Sequence, residues 1–342
     1  MKIIITGGAG YIGSHTAIEA LRAGHEVVII DSFINSSREV LPMIEKASGS
    51  SLIAIDLCMT RNPLEILEAI QEVASGADAL IHFAALKNSP ESTQVPLGYY
   101  RNNIDSLLSA IKISELLKIK SFVFSSSATV YGAPIELPIR ETQPITKGTT
   151  PYGTSKVIGE WILSDATKVS NIRSVALRYF NPVGADKSGL IGESPINKPN
   201  NILPIICNSA DTGEEMMVFG GDYDTRDGSC IRDYVHVSDI ANAHVLSVDH
   251  LFSDKSKSYD VYNLGLGIGN RFEKQGLTVL EVIKSFEKVN GVKVNYKISE
   301  RREGDIVEIY SNSTKAREIG WSPKRTVEDM VSSAWRWYKN KI

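Results

Sequence analysis

The first half of the chain alternates between two hydrophobic periods. Short unbroken apolar runs read as strands buried on both faces: Ile3-Ile4-Ile5, Glu26–Ile30, Ser51–Ile55, Ala79–Phe83, Ser121–Phe124 and Ser174–Arg178. Between them lie longer segments with apolar residues at helical spacing, among them Ile12–Ala23, Ser106–Leu117 and Tyr152–Val169. Strand and helix in strict alternation predict an α/β fold, a Rossmann-type doubly wound parallel sheet. After Phe180 the rhythm breaks. Residues 181–232 are rich in Asn, Pro, Gly and Asp, the composition of loops that gather a ligand rather than of another βαβ unit. Asp260–Leu264, Thr278–Val289 and Val292–Ile298 resume the pattern, either in a smaller C-terminal α/β lobe or by returning to the sheet. A boundary near residue 180 therefore divides the chain into lobes of 1–180 and 181–342.

Composition narrows the class. The 342 residues have room for two core-bearing lobes, and 42% hydrophobic residues suit a soluble globular protein. A net charge of −3 offers no basic field to nucleic acid. No stretch approaches the roughly 18 apolar residues of a membrane span. The N-terminus runs straight into a strand, so no signal peptide is expected. Cys58, Cys207 and Cys230 lack CxxC spacing and read as reduced thiols of a cytoplasmic protein. The six histidines show no ligand spacing, so no metal is expected; His82 and His236 read as packed strand residues.

The first strand leads into Thr6-Gly7-Gly8-Ala9-Gly10-Tyr11-Ile12-Gly13, which fits the dinucleotide fingerprint and its short-chain dehydrogenase variant, with Gly7, Gly10 and Gly13 as its glycines. Glycines permit the tight turn, the approach of backbone to pyrophosphate and the packing of helix on strand. The helix that follows offers free N–H groups and a positive dipole end. Asp31 ends the second strand, where a carboxylate accepts ribose hydroxyls and repels a 2′-phosphate. No Arg follows it directly, and the expected cofactor is NAD rather than NADP.

Tyr152 and Lys156, four residues apart, share a helix face. Ser125-Ser126-Ser127 ends the fifth strand, at the carboxyl edge where such sheets bind ligands. A phenol titrates near 10 and is a poor base at neutral pH. A lysine about 5 Å away contributes roughly 3 kcal/mol at an effective dielectric near 20, about two pKa units. With the positive nicotinamide, this is expected to bring the Tyr152 phenolate near neutrality, while Ser127 shares the proton of a substrate hydroxyl.

Thr6–His15, Ile81–Lys87, Ser125–Gly132, Pro151–Lys156, Leu177–Ala185, Arg232–Val235, Tyr262–Gly265 and Arg301–Asp305 together resemble the UDP-glucose 4-epimerases (UDP-galactose 4-epimerases), extended members of the short-chain dehydrogenase/reductase family. The resemblance runs through nearly the whole chain. It implies Tyr152 as catalytic base, Ser127 as its partner and Lys156 as its electrostatic tuner. It implies NAD lined by Tyr11, Ile12, Asp31, Asn35, Ser36, Asp56, Leu57, Phe83, Ala84, Lys87, Asn102, Lys156 and Phe180, with the glycine loop. It implies a UDP-hexose lined by Lys87, Ser127, Tyr152, Asn181, Asn201, Ile202, Phe219, Arg232, Tyr234, Arg302, Asp305 and Ile309. Arg232 and Arg302 suit a diphosphate, Asp305 ribose hydroxyls, and Phe219 uracil. The lobe of 1–180 would then hold NAD and that of 181–342 the UDP-sugar. The implied reaction interconverts UDP-glucose and UDP-galactose by transient oxidation at sugar C4, through a 4-keto intermediate that turns over before hydride returns to its opposite face.

The alternatives are weaker. Sugar-nucleotide dehydratases carry an Asp-Glu pair where this chain has Ala128-Thr129. A non-catalytic NAD-binding protein has no use for the Tyr152/Lys156 pair. Ile309 stands where relatives have Tyr, Cys or Ser beside the sugar's C2 substituent. It favours UDP-glucose and UDP-galactose and leaves the N-acetylated pair as the alternative. The stretch Gly267–Gly276 is longer than the common form. Family analogy implies a homodimer through Ser106–Leu117 and Tyr152–Val169.

Overall fold

The computed structural model describes the chain apart from residues 197–198, 254–255, 268–274, 303–304 and 342. Strands β1 (Lys2–Thr6), β2 (Glu26–Asp31), β3 (Ile53–Asp56), β4 (Ala79–His82), β5 (Ser121–Ser127) and β6 (Arg173–Tyr179) alternate with helices α1 (Tyr11–Arg22), α2 (Val40–Ser48), α3 (Pro63–Ala74), α4 (Ser89–Gln94), α5 (Pro96–Leu116) and α6 (Pro151–Val169). Beyond them run β7 (Asn181–Val183), α7 (Ile202–Thr212), β8 (Met216–Phe219), β9 (Ile231–Arg232), β10 (Tyr234–His236), α8 (Val237–Leu251) and β11 (Tyr259–Leu264). The chain closes with β12 (Leu277–Thr278), α9 (Val279–Asn290), β13 (Tyr296–Ser299), β14 (Glu308–Ile309) and α10 (Val327–Lys341).

The principal sheet has seven strands in the order β11-β6-β5-β4-β1-β2-β3. Every pair in it is parallel. The order reverses between β1 and β4, so a crevice opens at their carboxyl ends, the switch point where open α/β sheets take their ligands. The continuous apolar strands are explained by their two buried faces. Ile3 and Ile5 pack with Ala17 and Ile18 of α1, Ile44 of α2 and Ile240 and Val248 of α8. Ile4, pointing the other way, packs with Ile66 and Ile70 of α3, Leu107 of α5 and Leu163 of α6. Burying each such side chain contributes about 1.5–3 kcal/mol.

The ambiguous late segments separate. Tyr259–Leu264 returns to the sheet as its edge strand beside β6. β8 and β13 pair parallel outside it. There α7, α9 and α10 enclose a separate core around Ile206, Phe286, Ile283 and Met330. Helix α9 is bounded by local chemistry: Thr278 and Glu281 form a capping box and Gly291 takes the left-handed conformation at its end. The Asn- and Pro-rich stretch 181–232 is not loop alone, since α7 and β7 to β9 lie within it. Among the described residues, no helix is long and apolar enough to cross a membrane.

Candidate active site

The glycine loop joins β1 to α1 at the switch point. Gly7 sits at φ 70°, and a Cβ there would lie 2.7 Å from the Ala84 amide nitrogen. A Cβ on Gly13 would lie 2.3 Å from the Gly7 carbonyl oxygen. Both positions demand glycine for reasons of space. Gly10 is the N-cap of α1, with no side-chain cap and no acid in the first turn. That leaves a helix N-terminus with backbone donors and a positive dipole end, which fits a dinucleotide pyrophosphate. Tyr11 and Ile12 form the first turn, and the Tyr11 hydroxyl donates to the Gly184 carbonyl at 2.6 Å.

At the end of β2, the Asp31 carboxylate accepts from the Ala9 amide at 2.9 Å, the Phe33 amide at 2.9 Å and the Ser36 hydroxyl at 3.0 Å. Asn35 lies exposed in the same loop. Asp56 is the register partner of Asp31 and pairs with Arg38, whose guanidinium lies 4.5 Å from the Phe33 ring centre. An arginine therefore does reach this corner, seven residues on from Asp31, but with its charge directed to Asp56. Leu57 is buried beside Asp31 and donates its amide to that residue's carbonyl at 2.9 Å. Phe83 and Ala84 follow β4 against the glycine loop, Asn102 is half-buried on α5, and Phe180 is buried just past β6.

Ser127 ends β5. Tyr152 and Lys156 stand one turn apart near the start of α6, where Thr150 caps the helix and Pro151 opens it. The Lys156 ammonium donates to the Ser125 carbonyl at 2.7 Å and lies 5.0 Å from the Phe124 ring centre and 5.9 Å from that of Tyr152. Burial draws its pKa down to about 8, opposed by Glu160 one turn further along. Burial pushes the Tyr152 phenol up to about 12, opposed by a hydrogen bond with Ser127. The expected descent toward neutrality counts on the nicotinamide's charge beside that of Lys156; among the protein's own groups, burial holds the phenol high. At Tyr152 the desolvation of the phenolate outweighs the help of the Ser127 hydrogen bond. Ser127 has the right polarity to help. Its oxygen accepts from the Thr129 hydroxyl at 3.0 Å and the Thr129 amide at 3.3 Å, which leaves its own proton for the Tyr152 oxygen.

Sequence reasoning missed the buried groups behind this edge. Glu160 takes Arg178 on both oxygens, at 2.9 and 2.6 Å, and accepts from Ser126 at 2.5 Å. Arg178 continues to the Tyr131 hydroxyl at 2.8 Å, and Tyr131 to Asn263 at 2.7 Å. Asn103 ties the loop after β4 to α6 through Leu86 and Ser155. The signal available for Glu160 was its place four residues beyond Lys156, on the same helix face. His82 bonds Thr6 at 2.8 Å and stacks on Phe124, with its pKa drawn down to about 3 by burial and then by Lys156.

Across the crevice stand the residues predicted for a nucleotide sugar. Asn181 begins β7, and Asn201 and Ile202 begin α7. Lys87, largely exposed, lies 3.7 Å from Glu193 and 5.9 Å from the Tyr11 ring centre. Phe219 ends β8, its ring 3.8 Å from the Arg302 guanidinium carbon. Arg232 and Asp305, expected on different parts of the ligand, pair with each other at 2.7 Å. Tyr234 is buried at the start of β10. Ile309 is the register partner of Arg232 and packs with the cluster of Ala128, Tyr131 and Phe180. The β14 arm is tied to the catalytic edge by bonds between Ile139 and the backbone of Tyr310 and Asn312, at 2.9 and 2.7 Å. Most of Gly267–Gly276, and residues 303–304 of the Arg301–Asp305 motif, lie outside the described residues. Among the described residues, no group of His, Cys, Asp and Glu is placed to hold a metal ion.

Known proteins resemble this chain over its full length. The chain is 43% identical to a UDP-glucose 4-epimerase of Bacillus subtilis, over 100% of this chain and 98% of that protein. It is 44% identical to one of Yersinia enterocolitica, over 99% and 98%. A crystal structure of UDP-glucose-4-epimerase from Stenotrophomonas maltophila, with bound NAD and formylated UDP-arabinopyranose, superposes with a TM-score of 0.93 at 39% identity, covering 100% of this chain and 98% of that one. The enzyme of Bifidobacterium longum, in complex with NAD+ and UDP, gives 0.90 at 42% identity, covering 99% and 98%. The family profile matches residues 3–265, across the whole principal sheet. By fold, crevice and full-length similarity, the chain belongs to the NAD dependent epimerase/dehydratase family.

Proposed function

We propose that this protein is a UDP-hexose 4-epimerase that interconverts UDP-glucose and UDP-galactose with NAD as resident cofactor. The observation that carries the reading is the meeting of Tyr152, Lys156 and Ser127 with the glycine loop at one carboxyl edge of the sheet. Full-length similarity to UDP-glucose 4-epimerases supports the substrate.

The glycine loop and the α1 N-terminus would hold the pyrophosphate of NAD, and Asp31 with Ser36 the adenosine ribose. Asn35, Asp56, Leu57, Phe83, Ala84, Lys87, Asn102 and Phe180 complete that side. When bound, NAD supplies the oxidising equivalent for C4 and a positive charge that adds to that of Lys156 near the phenol. Tyr152 takes the proton of the sugar 4-hydroxyl and returns it after the sugar has turned. Ser127 donates to the Tyr152 oxygen, the direction that favours its charged form. Lys156 adds positive potential and holds the adjoining ribose. Arg232 and Arg302 receive the diphosphate, and Asn181, Asn201 and Ile202 its flank. Phe219 and Asp305 take the uridine, with Tyr234 behind. The hexose, held through its diphosphate, is free to present either face of C4. Ile309, mid-sized and β-branched, restricts the space at C2.

Residues 1–180 serve NAD and 181–342 the nucleotide sugar, with α8 and β11 returning to the first lobe. Exposed Leu97 and Leu108 on α5 and Trp161 on α6 support a homodimer across these helices, being 81%, 47% and 54% exposed. We place the enzyme in the cytoplasm, in galactose metabolism; three free cysteines accord with a reducing compartment.

The test is turnover by purified protein without added NAD. UDP-galactose is expected to give UDP-glucose, and UDP-N-acetylgalactosamine little product. Tyr152→Phe should lose about 10²–10⁴-fold in kcat. Absence of product from UDP-galactose, even with NAD added, would overturn the reading.

A further inference from the structure

The start of α7 is built in an unusual way. Asn201 occupies the N-cap, where an asparagine side chain ordinarily accepts from an amide of the first turn. It makes no such bond. Its side-chain amide instead donates to a Glu193 carboxylate oxygen at 2.5 Å. No acid lies in the first turn, and Pro204 occupies its third position. Glu193 is held from several sides. The same carboxylate oxygen lies 3.7 Å from the Lys87 ammonium, and the side chain is only 11% exposed. The Glu193 carbonyl accepts from the Trp337 indole at 3.2 Å. Gly192 packs so close to that ring that a Cβ would lie 2.3 Å from it. A buried carboxylate beside the site of an anionic ligand is electrostatically adverse. It joins Asn201 and Lys87, both predicted to contact that ligand.

We propose that Glu193 is a positioning residue for the nucleotide sugar: it draws the Asn201 side chain off the α7 N-terminus and ties Lys87 to the same point, leaving the Ile202 and Leu203 amides for phosphate oxygens. The proposal rests on the 4-epimerase reading above. Without Glu193 the Asn201 carbonyl is released to cap its own helix. It would accept from Leu203, because Pro204 has no N–H, and a donor meant for the substrate would be occupied.

The experiment compares the holoenzyme with Glu193→Ala, Glu193→Gln and Glu193→Asp. It measures turnover of UDP-galactose and calorimetric binding of UDP. Glu193→Ala is expected to raise KM and weaken UDP binding in parallel by about tenfold, with kcat within about twofold. Glu193→Gln, whose carbonyl still accepts from Asn201, should stay within about threefold of the parent on both measures. If Glu193→Ala does not fold, Glu193→Asp takes its place, since its shorter side chain withdraws from Asn201 while keeping the charge. An unchanged KM and UDP affinity in that variant would overturn the proposal, as would a fall in kcat alone. A parent enzyme inactive on UDP-galactose would instead reject the proposed function; an active parent with unaltered variants rejects only the role of Glu193.

Discussion

At Tyr152, burial and hydrogen bonding pull one proton in opposite directions, and burial is the stronger. Ser127 is the protein group that opposes it, because Thr129 occupies its acceptor sites and leaves its proton to donate. Ser127→Ala should therefore lower kcat by about 10- to 100-fold with a small change in KM. The acid limb of the kcat–pH profile should move to higher pH, since the phenol then has less help in losing its proton. A limb that stays in place would show that Ser127 acts on the substrate alone. The spacing of Tyr152 and Lys156 was legible in the sequence because i,i+4 positions share a helix face. The polarity of Ser127 was not, since it depends on where Thr129 turns in the short 3-10 segment that follows.

Among the elements, the glycine loop was the most legible, and its geometry makes a firm prediction. Gly13→Ala places a methyl group against the Gly7 carbonyl, so loop and helix must separate. Resident nucleotide should be lost on purification, which the absorbance ratio of the eluted protein reads directly. Helix α5 was legible only in its second half. Its first half, from Pro96 through Tyr99-Tyr100-Arg101-Asn102-Asn103, carries too many polar and aromatic residues to show a stripe, and its buried members Tyr99 and Asn103 work through hydrogen bonds. Helix α7 was hidden by the Asn- and Pro-rich composition around it, although Leu203, Ile206 and Cys207 follow helical spacing. The outward faces of α5 and α6 carry the dimer proposal. If the parent sediments as the proposed dimer, Leu108→Asp combined with Trp161→Glu should halve its mass at sedimentation equilibrium without lowering helix content; an unchanged dimer mass would place the interface elsewhere, and a monomeric parent would reject the dimer.

For the whole molecule, the buried histidines contribute to the response to acid. Burial draws His15 and His244 down to about 4 and His82 to about 3, and holds His236 well below its ordinary value. Unfolded, each takes up a proton near pH 6.5; folded, each stays neutral until much lower pH. Their contribution to stability is complete above pH 6.5 and drains away as pH falls toward 4, each by at most about 1.4 kcal/mol per pH unit. Melting temperature should thus fall steadily from pH 7 to pH 5, and His244→Phe should flatten the slope. A slope left unchanged by His244→Phe would contradict the burial of that ring as its cause. The parallel sheet was legible from alternating strands and helices, but the seventh strand was not. Its identity depends on a ladder with β6 that no local pattern records, and the same composition would serve a strand in either lobe.

That seventh strand bears on how the polypeptide is made. β6 ends at Tyr179, yet among the described residues its outer edge is paired only by β11, ending at Leu264, and the α1 side of the sheet is covered in part by α8, which comes just before. At ribosomal speeds of about 5–20 residues per second, this open edge and apolar face wait roughly 4 to 17 s for their cover. A nascent chain in that interval shows an unpaired strand to every neighbour, the condition under which sheets join between molecules. A chaperone that binds apolar stretches during synthesis should matter most to this protein in that window, and a translational pause placed between Tyr179 and Leu264 should lower soluble yield more than one placed after Leu264.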